Sequence, residues 1–83
     1  MDMSTYYLQQ VREFVVENFL FGDGNRIEDD MSFMDNGIVD STGMLEIVGY
    51  LENQFGIRVE DEELVPENMD SMKRIAAFIT RKC

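Results

Sequence analysis

The dipeptide Asp40-Ser41 is the part of this 83-residue sequence that points most directly to chemistry. It stands where a long polar loop gives way to an apolar segment with helical spacing. A carboxylate there can accept hydrogen bonds from the free N–H groups of the first helical turn, which leaves the Ser41 hydroxyl near the positive end of the helix dipole. Because that end favours anions, a phosphate ester on Ser41 would be stabilised. The sequence therefore predicts a modifiable oxygen at a helix start.

Local chemistry alone does not single out this serine. Asp-Ser is an ordinary pair at the start of a helix, and Asp70-Ser71 repeats it in a similar context. Two weaker arguments favour Ser41: the long loop before it can hold it exposed, and its helix lies in the acidic rather than the basic part of the chain. On residue types alone, both serines stay open.

The composition argues against independent catalysis and against nucleic-acid binding. The chain has no histidine and one cysteine, Cys83, so the commonest general base and metal ligand are missing and no internal disulfide can form. Its 17 acidic and 7 basic residues give a net charge of −10, which repels phosphate backbones and anionic membranes and attracts basic proteins. No apolar run approaches the roughly 20 residues that span a bilayer. We expect a cytoplasmic protein without a metal site.

Apolar residues recur at helical spacing in three segments. Residues 4 to about 21 form the first, with Ser4 or Thr5 expected as its cap, and residues 41–55 form the second. The third opens at Asp70 or Ser71, and a short helical crossover is expected around residues 60–66. The pattern predicts an all-α fold without strands.

The long loop and the second helix each carry a further expectation. Residues 22–40 have no sustained period, and such a loop in a small domain needs anchors, for which we expect Phe33, Met34, Ile38 and Val39. In the second helix, glycines at positions 43 and 49 lower the intrinsic helix propensity relative to alanine. Burial of the helix's apolar side chains is expected to outweigh that cost.

The ordered combination of motifs resembles the acyl carrier protein family. The motifs are SFMDNGIVDS at residues 32–41, LEIV at 45–48, FGI at 55–57 and PENMDS at 66–71. The resemblance implies an acyl-carrier-like four-helix bundle, with three main helices and one short helix, as one carrier domain over residues 1–83. Fatty-acid carriers usually follow the motif serine with leucine, whereas this chain has Thr42-Gly43. The motif GIVDS at residues 37–41 is closer to free-standing carriers of specialised pathways, including aminoacyl and D-alanyl carriers, and to carrier domains of peptide synthetases.

The resemblance also implies roles for residues. Ser41, rather than Ser71, would receive 4'-phosphopantetheine from coenzyme A through a phosphopantetheinyl transferase, with Asp40 as the helix cap beside it. The thiol of this arm would carry acyl intermediates as thioesters between enzymes of fatty-acid, polyketide or related biosynthesis, and the chain would supply no catalytic residue. Docking residues for basic patches on these enzymes are expected to be Asp40, Glu46 and Glu52. Lining residues of an acyl pocket are expected to be Met44, Leu45, Val48 and Leu51.

Two other hypotheses stay open on the sequence. The charge alone also permits an unmodified acidic interaction module, whose binding to a basic partner would survive Ser41→Ala. Residues 23–30 carry enough side-chain oxygen atoms to suggest a calcium site, but Ile27 and Glu28 break the EF-hand pattern. We expect a monomer, because carriers visit their partners transiently.

Overall fold

The computed structural model describes residues 3–83, apart from the side chain of Arg26. The α-helices are α1 (Ser4–Phe19), α2 (Ser41–Phe55), α3 (Pro66–Met69) and α4 (Met72–Lys82). Two short 3-10 helices, Gly24–Arg26 and Asp61–Glu63, lie in the connections, and the described residues contain no strand. This confirms the predicted all-α bundle of three main helices and one short helix, with a long loop between the first two. Across these residues no helix is both long and apolar enough to cross a membrane.

The start of α1 differs from the prediction. Met3 is the N-cap residue, and it makes no side-chain cap hydrogen bond. Its backbone is already α-helical, and its carbonyl oxygen accepts the Tyr7 N–H at 3.0 Å. Ser4 therefore lies inside the first turn, and the expectation that Ser4 or Thr5 caps this helix is wrong.

Both α1 and α2 end at residues whose backbone is in the left-handed conformation. After α1, Phe21 and Gly22 have φ values of 54° and 85°, and the Gly22 N–H donates to the Val16 oxygen at 2.9 Å. The helix therefore stops at Phe19, two residues before the predicted end. After α2, Gly56 takes a φ of 65° and donates its N–H to the carbonyl of the last turn, which confirms it as the predicted stop.

α1 and α2 run antiparallel and meet through aromatic side chains. The rings of Phe14 and Tyr50 stack with centroids 4.1 Å apart, and Tyr7 meets Phe55 edge-on at 5.4 Å. The Tyr50 hydroxyl also donates to the backbone oxygen of Gln10 at 3.2 Å. Each such aromatic pair contributes about 0.5–1.5 kcal/mol beyond its buried area. The pairing brings the C-terminal end of α1 beside the start of α2.

Gly43 is a point of close contact between α2 and the end of α1. A β-carbon at this position would lie 2.8 Å from Phe19 Cε1 and 3.1 Å from Val39 Cγ1. Packed carbon atoms do not approach so closely, so the backbone of α2 can sit here only because the residue has no side chain. The lower helix propensity of Gly43 stays a prediction, and the close contact is a separate reason for glycine at this position.

Apolar side chains anchor the long loop on the core, largely as predicted. Phe33 and Val39 are 0% and 3% exposed, and Ile38 is half-buried. Met34 is 54% exposed, so its prediction as an anchor is wrong. Ile27, at 3% exposed, is an additional anchor. Full burial of each such side chain contributes about 1.5–3 kcal/mol before entropy, which is enough to order a loop that lacks regular structure.

Polar contacts hold the first half of this loop against the helices. The Arg12 guanidinium donates to the carbonyl oxygens of Gly24 at 2.7 Å and Ile27 at 3.3 Å, and it pairs with the Asp29 carboxylate at 3.2 Å. The Asp29 carbonyl in turn accepts the Lys73 N–H of α4 at 2.8 Å. The loop is thereby fixed to both α1 and α4.

Three cations of α4 hold α3 and the turn before it. The contacts are Lys82 with the Glu63 carboxylate at 3.0 Å, Arg81 with Asn68 Oδ1 at 2.7 Å and Arg74 with the Pro66 oxygen at 3.2 Å. A helix as short as α3 has no independent stability, so its position depends on contacts of this kind and on burial of Met69.

We predict that Gly43→Ala destabilises the protein although alanine is the better helix former. The added methyl group overpacks the contact with Phe19 and Val39, which should cost about 1–3 kcal/mol of unfolding free energy. Gly49→Ala is the matched control, because a β-carbon there meets nothing within 4 Å and should be neutral or stabilising by up to about 1 kcal/mol. Urea unfolding measures both, and equal behaviour of the two variants would contradict the proposed close contact.

We also predict a pH-dependent contribution from Glu63. Its pKa lies below the ordinary value because its carboxylate accepts the Glu60 backbone N–H and, second, the Lys82 ammonium. A lowered folded-state pKa gives stability that is present above the unfolded value, about 4.5, and is lost as the pH falls through the folded value.

Wild type should therefore be more stable than Glu63→Gln near neutral pH, and this difference should disappear as the pH falls through the lowered pKa of Glu63 in the folded protein. Urea unfolding across that pH range measures it. Glu62→Gln removes an equal charge one residue away and serves as the control. A stability difference that stays constant with pH would contradict the role given to Glu63.

Candidate functional site

The start of α2 is defined by the Asp40 side chain. Asp40 has an extended backbone, and its Oδ1 accepts the Gly43 N–H at 2.7 Å. Its carbonyl oxygen accepts the Met44 N–H at 2.9 Å, the first hydrogen bond of the helix. Ser41 is consequently the first residue inside α2, and it is exposed. Because Asp40 is the cap, the Ser41 hydroxyl lies at the positive end of the helix without having to serve as the cap itself.

The second Asp-Ser pair is built differently. Ser71 is itself the N-cap of α4: its Oγ accepts the Arg74 N–H at 3.1 Å, and the residue is 2% exposed. Asp70 therefore stands one position further outside the helix than Asp40 does. The two pairs share their sequence but differ by one residue in register, and Ser41 is exposed whereas Ser71 is buried.

Asp70 instead ties the long loop to the α3–α4 junction. Its carboxylate accepts the Ser32 hydroxyl and the Met34 N–H, the latter at 3.1 Å. Its carbonyl oxygen accepts the Phe33 N–H at 2.9 Å. Three consecutive loop residues thus bond to one aspartate, which fixes the segment leading to Ser41.

A cavity of about 250 Å³ opens beside Ser41. Met44 and Leu45 of α2 line it, as the sequence predicted for an acyl pocket, and Met34 of the loop joins them. The opposite side consists of Leu64, Val65, Pro66, Met69 and Asp70. This second side was not predicted from the sequence, because only the run PENMDS marks the segment. The cavity is apolar apart from Ser41 and Asp70.

The other two predicted pocket residues lie elsewhere. Leu51 is fully buried in the core, and Val48 is half-buried; neither is among the residues that line this cavity. Leu51 belongs to the core cluster, whereas Val48 is neither in that cluster nor among the residues packed against it.

The predicted docking residues differ in their exposure and in their hydrogen bonds within the chain. Asp40 and Glu46 are exposed near Ser41. Glu52 is half-buried, and its Oε2 accepts the Val59 N–H at 3.0 Å, so it also fixes the chain after α2.

A larger open groove of about 880 Å³ lies between α1 and α4, away from this site. It is lined by Leu8, Arg12, Asp29 and Lys73 among others, and none of the predicted site residues contributes. Its main polar groups, Arg12 and Asp29, already pair with each other to hold the loop. We therefore interpret the groove as a structural contact between the loop and the two helices rather than as a binding site.

We predict that the two serines differ in their importance for stability. Ser71→Ala removes a buried cap and should lower the free energy of unfolding by about 1 kcal/mol. Ser41→Ala removes an exposed hydroxyl that caps nothing and should change it by less than about 0.5 kcal/mol. Urea unfolding followed by circular dichroism measures both, and equal losses would contradict the register difference.

Comparisons with known proteins agree with this geometry. A family model described as a phosphopantetheine attachment site matches residues 9–79. A D-alanyl carrier protein of Abiotrophia defectiva is 28% identical over 53 residues, which cover 64% of this chain and 67% of that protein.

A chain in the crystal structure of an FAD-dependent dehydrogenase has the same fold, with a TM-score of 0.74 at 23% identity. The match covers 83% of this chain and 97% of that one. Since the family match spans most of the sequence, the chain belongs to the phosphopantetheine-binding carrier proteins, and 4'-phosphopantetheine is its covalently attached cofactor.

Proposed function

We propose that Ser41 is the residue to which 4'-phosphopantetheine is attached. The supporting observation is that Ser41 is exposed and free of the capping role, whereas the Oγ of Ser71 is buried and already accepts a backbone N–H. The start of α2 also suits the product, because a phosphodiester carries a negative charge and the N-terminal end of a helix stabilises anions. The adjacent apolar cavity offers space for a group at the end of the arm.

The attachment needs little from this chain. A phosphopantetheinyl transferase supplies coenzyme A; a bond forms between Ser41 Oγ and the phosphorus next to pantetheine, and the bond from that phosphorus to adenosine 3',5'-bisphosphate breaks. The hydroxyl proton leaves Ser41 as the bond forms. The bound arm then supplies a thiol that holds acyl groups as thioesters. In this proposal the chain provides attachment, orientation and recognition, while partner enzymes provide the catalytic residues.

We infer that the cargo is a small acyl or aminoacyl group. The cavity of about 250 Å³ is below the range of about 300–1,000 Å³ that is usual for drug-sized ligands. It contains a carboxylate, Asp70, which can accept a hydrogen bond from an amino or hydroxyl group on the cargo. The similarity to a D-alanyl carrier protein points the same way. Such a carrier domain, over residues 1–83, would serve a specialised pathway related to fatty-acid or polyketide synthesis.

The acidic surface around Ser41 supports docking to basic enzymes. Asp40 and Glu46 are exposed on the first turns of α2, so they can meet a basic patch without leaving an internal partner. Glu52 can contribute only in part, because one of its oxygens is bonded to Val59. Charges at the edge of an interface mainly steer association, and the net charge of −10 strengthens that effect at low salt.

Intact mass spectrometry tests the proposal. Wild type, Ser41→Ala and Ser71→Ala are each incubated with coenzyme A, Mg²⁺ and a broad-specificity phosphopantetheinyl transferase. We expect one phosphopantetheine increment on wild type and Ser71→Ala and none on Ser41→Ala, because only the exposed hydroxyl can reach a transferase active site. Circular dichroism confirms that each variant is folded. Folded wild type that takes up nothing would refute attachment and favour the unmodified acidic module.

A further inference from the structure

Phe21 combines two features that a soluble domain rarely keeps at one residue. Its side chain is 94% exposed, the largest exposed fraction among the big hydrophobic residues of the described chain. Its backbone has a φ of 54°, the left-handed conformation that bulky residues avoid. A residue that is both strained and exposed is a candidate for function, because folding gains little from it.

The end of α1 does not require a phenylalanine. The turn needs a residue that accepts left-handed backbone, and asparagine or glycine does so at lower cost. Since its ring is almost wholly exposed, Phe21 adds little to the core. The residue type therefore has no explanation within the fold.

Phe21 lies at the end of the bundle that carries Ser41. It follows α1 by two residues, and the last residue of α1, Phe19, packs against Gly43 in the first turn of α2. Two other exposed apolar side chains, Met34 and Leu45, border the cavity at the same end, at 54% and 64% exposed. The surroundings of Ser41 are therefore apolar as well as acidic.

We propose that Phe21 is an apolar anchor for the phosphopantetheinyl transferase that modifies Ser41. This inference rests on the proposed function. A transferase is the one partner whose active site must contact the Ser41 hydroxyl itself, whereas enzymes that process the cargo meet the far end of the arm. Its footprint must therefore cover this end of the bundle. The matching surface is an apolar recess flanked by basic groups, which complement the exposed carboxylates of Glu17, Asp40 and Glu46.

Steady-state kinetics of phosphopantetheine transfer test the anchor. Phe21→Asn keeps the left-handed turn and removes the ring, and Tyr6→Ser removes another exposed aromatic ring at the opposite end of α1. With coenzyme A, Mg²⁺ and the same broad-specificity transferase, Phe21→Asn should raise the KM for the carrier by about fivefold or more and leave kcat unchanged. Tyr6→Ser should change neither constant. The Tm of Phe21→Asn should not fall, because the substitution removes strain.

The outcomes separate this inference from the proposed function. If wild type is modified and Phe21→Asn has the wild-type KM, the anchor is refuted while attachment at Ser41 stands. An equal rise in KM for Tyr6→Ser also refutes it, since the effect would not depend on position. If wild type is not modified at all, the proposed function fails and the anchor fails with it.

Discussion

The hydrogen bond from the Gly43 N–H to the Asp40 carboxylate determines where α2 begins, and the site depends on that register. Because the aspartate caps the helix, the following serine falls on the first turn with an exposed hydroxyl. Gly43 meets a second requirement, since its missing side chain admits Phe19 of α1. Gly43 thus takes part both in the cap of α2 and in the contact between α1 and α2. The start of α2 therefore cannot shift without a change in the packing of the two helices.

The rest of the site is built from irregular chain that side chains hold in place. Arg12 and Asp70 bond to backbone atoms of the long loop at its two ends, and cations of α4 hold the short α3 segment. Irregular chain of this kind opens more easily than a long helix, because two of these contacts, those made by Asp70 and Arg74, involve exposed groups. The closest helix packing is that of α4 against α1 and against α3, so α4 supports the side of the cavity that contains α3.

Much of the helical architecture was predictable because periodic apolar spacing and glycine stops are local signals. The bounds of α2, the stop at Gly56 and the loop anchors Phe33 and Val39 all followed from residue type and order. Features that depend on a partner distant in sequence were not predictable. Gly43 resembles a weak helix residue until Phe19 is seen beside it, and Glu52 resembles a free surface acid until Val59 is seen to bond to it.

The features of the site that depend on residues distant in sequence were likewise not predictable. The identical Asp-Ser pairs give no local reason to prefer one serine, and only the motif resemblance favours Ser41 over Ser71 from the sequence. The cap register separates the two pairs, and it depends on tertiary packing that buries Ser71. The half of the cavity formed by the α3 segment could not be assigned, because α3 has too few residues for a periodic signal.

The cavity beside Ser41 is rich in methionine, so its lining is sensitive to oxidation. Three of its lining residues, Met34, Met44 and Met69, are methionines, whose flexible thioethers adapt to guests of different shape. Oxidation converts such a side chain into a polar, chiral sulfoxide. Oxidants reach the exposed Met34 before the buried Met69, so they would make the mouth of the cavity hydrophilic while the core stays intact. Oxidation would then change the polarity of the cavity mouth without unfolding the protein.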